Sequence, residues 1–144
     1  MNLNEKFATS INQGKELIDI GIDPSTADLC WTNESYKGPF YVEQFEIFPK
    51  SYDYVRKLYD DYKERFANTG GVLAWDVIPA WSLSKLMKLM PTLVEKYGRL
   101  NIVRNGEEVT EFRYGSDIIF GSPDAIDAAV DMIKWLIRNG YIRQ

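Results

Sequence analysis

The chain contains no histidine and a single cysteine, Cys30. The first absence removes Ser-His-Asp and Cys-His mechanisms, because each needs an imidazole to carry the proton. It also removes His-ligated zinc and non-haem iron, so no metal site is expected. One cysteine can neither close an internal disulfide nor supply the paired thiolates of a zinc site. Cys30 sits in the apolar stretch Leu29-Cys30-Trp31, where a buried, unreactive thiol is expected. No apolar run approaches the roughly 20 residues that cross a bilayer. The opening Met1-Asn2-Leu3-Asn4-Glu5-Lys6-Phe7 lacks a basic start followed by an apolar run, so no signal peptide is expected. A soluble cytoplasmic protein without membrane contact is the expectation. No cofactor is expected either. Gly70-Gly71 is not followed by the Lys-Ser/Thr of a phosphate loop, and no dinucleotide fingerprint occurs.

What is present is aromatic and mildly acidic. At 144 residues with 45% hydrophobic and 14% aromatic side chains, the chain is long enough to bury one core unaided, and residues 1–144 read as a single globular domain. The net charge is −4. The basic residues Lys85, Lys88, Lys96, Arg99, Arg104 and Arg113 are spaced out and diluted by Glu95, Glu107, Glu108 and Glu111. A duplex binder needs a concentrated basic face, so direct nucleic-acid binding is not indicated.

The patterning predicts an α+β fold. A single antiparallel layer is expected, with a meander around 99–120 plus strands near 29–32 and 40–48, covered by three to four helices. A first helix is expected over 4–20, weakened by Gly14, and a short helical turn at Pro24-Ser25-Thr26. The alternating spacing of Tyr52, Val55, Tyr59, Tyr62 and Phe66 predicts a helix over 52–67 with Ser51 as its cap and Asn68-Thr69-Gly70-Gly71 as its end. Residues 72–78 read as a buried strand or irregular crossing, Pro79-Ala80-Trp81 as a turn, and Leu83 to Met90 as a short helix. Asn105-Gly106 between β-rich flanks predicts a hairpin, since both residues tolerate positive φ. The closing helix is expected to be capped by Ser122, with Ile126, Val130, Ile133, Leu136 and Ile137 as its buried face.

The segments Gly21-Ile22-Asp23-Pro24-Ser25-Thr26-Ala27-Asp28 and Pro79-Ala80-Trp81-Ser82-Leu83-Ser84-Lys85-Leu86, with the closing helix from Asp127 to Asn139, carry a resemblance. Together and in this order they resemble a group of small uncharacterised proteins of gut Bacteroidetes and their phages or other mobile elements. The likeness covers most of the chain. It implies a phage-borne intracellular accessory protein. The shared segments are structural, so the resemblance transfers no functional residue.

No catalytic residue is assigned. The candidate binding residues are Trp75, Asp76 and Trp81, where two indoles flank a carboxylate and a proline. Such rings stack on a sugar, base or peptide, or they seal one end of the core with their N–H groups satisfied. Glu43 and Glu46 differ by an odd number and point to opposite faces of a regular strand, so they do not form a shared acid/base site. The expected function is a non-catalytic binding or regulatory accessory protein with a protein partner. Two alternatives remain: a His-independent carboxylate-based hydrolase, and an acidic inhibitor of a nucleic-acid-binding host protein.

Overall fold

The computed structural model describes residues 7–32, 35–36, 46–67, 73–74, 77–106 and 108–142. Along the chain run α1 (Ile11–Asp19), a 3-10 turn (Pro24–Thr26), β1 (Leu29–Thr32), β2 (Ser35–Tyr36), β3 (Glu46–Phe48), α2 (Tyr52–Ala67), β4 (Leu73–Ala74) and β5 (Val77–Ala80). Then follow α3 (Leu83–Leu89), β6 (Leu93–Val94), β7 (Gly98–Asn105), β8 (Val109–Tyr114), β9 (Ile118–Ser122) and α4 (Ala125–Arg138). The fold is α+β, and all the described strand pairs are antiparallel. The strands divide among three ladders, β3-β1-β5, β2-β4 and β6-β7-β8-β9, in place of one layer. Both edges of β1 are taken by β3 and β5, which leaves no edge on β1 for the meander to join.

The closing helix organises the larger core. Asp124 caps it, accepting from the N–H groups of Ile126 at 2.8 Å and Asp127 at 3.3 Å. Ser122, the expected cap, instead accepts from the Asp124 N–H one step earlier. Aspartate on the N-terminal amides also suits the helix dipole. Ile126, Val130, Ile133 and Leu136 are buried as the spacing predicts, and Ala128, Ala129 and Met132 are buried beside them. Ile137 is only half-buried. So many buried positions follow from the helix being covered on two sides. It packs on β8 and β9 and also against α3 and α1. Phe112 and Tyr114 supply the sheet side of this core, and Leu17, Leu86, Met90 and Trp81 close it. Each such side chain contributes about 1.5–3 kcal/mol by leaving water.

The three-stranded ladder carries a second, thinner core. Cys30 and Val55 are its buried residues, flanked by Leu58, Tyr59 and Val77. Helix α2 has the expected bounds, and Ser51 accepts from the Tyr54 N–H at 3.2 Å. Helix α1 begins later than expected. Residues 7–10 are not helical, and Ser10 forms a capping box with Gln13. Gly14 is less a defect than a fitting, because a Cβ there would come within 2.3 Å of the Pro79 carbonyl oxygen. Pro79 itself is no turn residue. It lies within β5, an edge strand, where its missing N–H is tolerated.

Thr9 ties the two parts together. It is fully buried. Its N–H donates to the Trp81 carbonyl at 3.0 Å, and its hydroxyl oxygen accepts from the Trp81 N–H at 3.1 Å. Its own carbonyl accepts from the Trp31 indole N–H at 2.8 Å. The central strand β1 of the small ladder and the core residue that follows β5 are therefore pinned to one buried threonine.

Of the expected strand over 40–48, residues 46–48 are a strand and 40–45 lie outside the described residues, as does the expected helix end at 68–71. Among the described residues, no helix is long and apolar enough to cross a membrane.

Candidate binding cleft

The meander places its residues on two faces. The register pairs Ile102 with Phe112 and Phe120, and Arg104 with Thr110 and Ser122. Directly paired residues share a face, so these form the inner face. Helix α4 covers it at Phe112 and Tyr114, both fully buried. Toward the hairpin tip, Ile102 remains 43% exposed on the same face. This tip end, the starts of α3 and α4, and Phe7 enclose a cleft of about 540 Å³. That size suits a small-molecule or peptide site. Its polar lining comes from Ser82, Ser84, Arg104, Thr110 and Asp124.

Much of that lining is committed to structure. The Ser82 N–H and hydroxyl both donate to the Asp28 carboxylate, at 2.9 and 2.5 Å, and the Ser82 oxygen accepts from the Lys85 N–H at 3.3 Å. Asp124 is the cap of α4. Among the described residues it is the one carboxylate in the lining. A carboxylate-based hydrolase needs two acidic groups across the scissile bond, and this cleft does not present them. Nor does any group of three or more potential metal ligands occur among the described residues.

A smaller slot of about 330 Å³ shares Phe7 with the cleft and is otherwise lined by Ala8, Ser10, Trp31 and Ile47. Its polar groups face away into local bonds. The Trp31 indole reaches Thr9, and Ser10 is engaged in the capping box. Only apolar surface is left for an occupant.

Of the predicted site residues, Trp81 is fully buried, and its indole N–H donates to the Thr26 hydroxyl at 2.9 Å. Its ring packs in the larger core and has no face toward either opening. Trp75 and Asp76 lie outside the described residues. The cleft residues were missed because they come from three distant segments without a local motif. Hairpin arithmetic misplaces them too: a two-residue Asn105-Gly106 turn would set Arg104 opposite position 107, whereas the register keeps Asn105 in the strand opposite Val109 and sets Arg104 opposite Thr110.

Titratable groups elsewhere are quiet for identifiable reasons. Burial pushes the Cys30 thiol up to about 11 and the Tyr114 phenol up to about 12. Tyr114 donates to the Pro91 carbonyl at 2.6 Å. On the outer face of the meander, the Asn105 amide and then the Arg113 guanidinium hold the Glu111 carboxyl below its usual range. Asp124, Asp127 and Asp131 recur at helical spacing along α4. The neighbouring acidic surface is broken where Lys134 pairs with Glu16 of α1, so no continuous negative stripe forms there. At the far end of α4, Tyr97, Trp135 and Tyr141 meet with centroids 5.5 to 6.5 Å apart. Trp135 and Tyr141 stack, Tyr97 meets both edge-on, and the Lys96 ammonium lies 5.3 Å from the Tyr97 ring centre, so the group is accounted for within the chain. No protein-family model, curated protein or solved structure matches this chain, so its functional reading rests on the geometry just described.

Proposed function

We propose that the chain is a non-catalytic binding or regulatory accessory protein that acts in the cytoplasm on a protein partner. The resemblance noted above extends this to a protein borne by a phage or other mobile element. One observation carries the reading: the cleft at the hairpin tip is open and sizeable, yet its carboxylate and one of its two serines are held in structural bonds. Ser82 is tied to Asp28 and Asp124 to the amides of α4. A site built this way offers shape, an apolar floor from Leu83 and Ile126, and polar edges from Ser84 and Thr110. The Ser82 hydroxyl does lie against a carboxylate, that of Asp28, but its oxygen also accepts from the Lys85 N–H at the cap of α3, so the pair reads as a structural bond.

The test is affinity capture from the native host, with wild type and Ser84→Trp side by side. Ser84 is exposed at the cleft wall, so the indole fills the opening without disturbing the core. A protein retained by wild type and lost with Ser84→Trp is the expected result. Identical capture by both proteins would remove the cleft from the reading. Hydrolysis of an ester or glycoside that Ser82→Ala abolishes would make the protein an enzyme and overturn it.

A further inference from the structure

Among the described residues, Glu111 is the one charged side chain that is buried, at 9% exposure, and it takes no part in the cleft. A buried charge is costly unless it is paired. The register places Glu111 on the outer face of the meander, opposite Val103 of β7 and Gly121 of β9. Its Oε1 accepts from the Asn105 amide at 2.9 Å, and its Oε2 accepts from Arg113 Nε at 2.7 Å. Arg113 stands two residues along the same strand and neutralises the charge. Asn105 is the last residue of β7 before Gly106, where the chain turns at φ +73. The carboxylate thus ties the strand entering the turn to the strand leaving it. Gly121 leaves room for this tie, since a Cβ there would come 3.0 Å from Glu111 Cγ and 3.2 Å from Val109 Cγ1.

The residues beside this tie face the other way, because successive strand residues point to opposite sides of a sheet. Arg104 precedes Asn105 and Thr110 precedes Glu111, and both line the cleft. The cleft therefore has two unlike walls. One is formed by the starts of α3 and α4, where Ser82 is bonded to Asp28 and Asp124 caps α4. The other is the hairpin tip, which extends past Phe112 and Tyr114, the buried residues that pack β8 into the α4 core. We infer that Glu111 is a positioning residue: by bonding Asn105 across the hairpin and Arg113 along it, the carboxylate sets the tip wall of the cleft from the opposite face of the sheet. The role rests on the binding cleft proposed above. When the tie is broken the tip frays, and Arg104 and Thr110 lose their fixed places in the wall.

Native-state hydrogen exchange tests this without a partner, so its failure is distinct from a failure of the capture experiment. Asn105→Asp keeps a turn-forming residue before Gly106 and sets a second carboxylate against Glu111. Asn105 is exposed, so the substitution leaves the fold intact. Exchange at the ladder-protected amides of residues 103–105 and 109–111 is expected to quicken about tenfold or more. The amides of Leu86 and Ala128, bonded in the fixed wall, should keep their rates. Adding Glu111→Gln remakes an amide–carboxylate pair with the roles exchanged, and the tip rates should return to within about threefold of wild type. The Thr110 methyl resonance reads the wall itself. It should move toward its unfolded position in Asn105→Asp and return in the double variant. Leu136→Ala is the control for general destabilisation and should leave the tip rates unchanged, since fraying is local. The proposal is overturned by tip rates or a Thr110 methyl that Asn105→Asp does not move. It is equally overturned by a double variant that exchanges as fast as Asn105→Asp, or by Leu136→Ala quickening the tip as much.

Discussion

The two cores differ in how each is closed. Around α4, the helix is covered on one side by β8 and β9 and on the other by α3 and α1. Phe112, Tyr114, Met132, Ile133 and Leu136 are all fully buried there. Under α2, the hydrophobic cluster has just Cys30 and Val55 as buried members among the described residues, with partly buried Leu58, Tyr59 and Val77 around them. Burial of apolar area is the main favourable term in folding. The α4 core should therefore carry the global stability, and the α2 core should open at lower free energy, as thinly packed units do. Thr9 stands at the joint, with one bond to β1 through Trp31 and two to Trp81.

Leu136→Ala attacks the stronger side. The residue is fully buried, and truncation in a site covered on two faces leaves a cavity that cannot easily collapse, costing about 2–5 kcal/mol. Urea denaturation should show a lowered midpoint with an unchanged slope. Val55→Ala attacks the thinner side and should cost less, about 2 kcal/mol, since fewer packed neighbours surround the cavity. Hydrogen exchange sharpens the contrast. Amides of α2 should lose protection in Val55→Ala while those of α4 keep theirs, and Leu136→Ala should lower both together. Equal loss across both regions in Val55→Ala would mean that the two cores open as one unit.

The same contrast explains what was legible in the sequence. Elements whose signal is local were readable. Helix α2 has the expected bounds, Gly106 takes φ +73 at the hairpin, and α3 starts after its Ser82 cap. Signals that depend on a distant partner were not. Gly14 reads as a weak point until the Pro79 carbonyl is found against it. Pro79 reads as a turn until β5 proves to be an edge strand. At α4 the sequence offers Ser122 and Asp124 in one cap region, and the backbone geometry chose Asp124. Trp81 reads as core before it reads as recognition surface, and Thr26 and Thr9, far off in sequence, fix it inside. The cleft was illegible for the same reason, since Ser84, Arg104 and Asp124 meet only after the meander and α4 are in place.

Alkaline titration separates the two cores without cutting either. Cys30 belongs to the thin core, and burial raises its thiol from 9.0 to about 11. Tyr114 belongs to the α4 core, and burial raises its phenol from 10.0 to about 12. A group with a raised folded-state pKa holds its proton more tightly in the native state. Its contribution is complete below the unfolded pKa and declines as pH rises toward the folded value. Stability should thus begin to fall near pH 9 through Cys30, and fall more steeply above pH 10 as Tyr114 joins. The Cys30 part amounts to about 2–3 kcal/mol by the time both its states are ionised. Cys30→Ala should flatten the decline between pH 9 and 10 and reduce the decline above pH 10 to the Tyr114 part alone. The check is the urea midpoint measured in steps across that range. A decline that Cys30→Ala leaves untouched would show that the thiol already reaches solvent in the folded protein, and that the α2 core is open where it is described as closed.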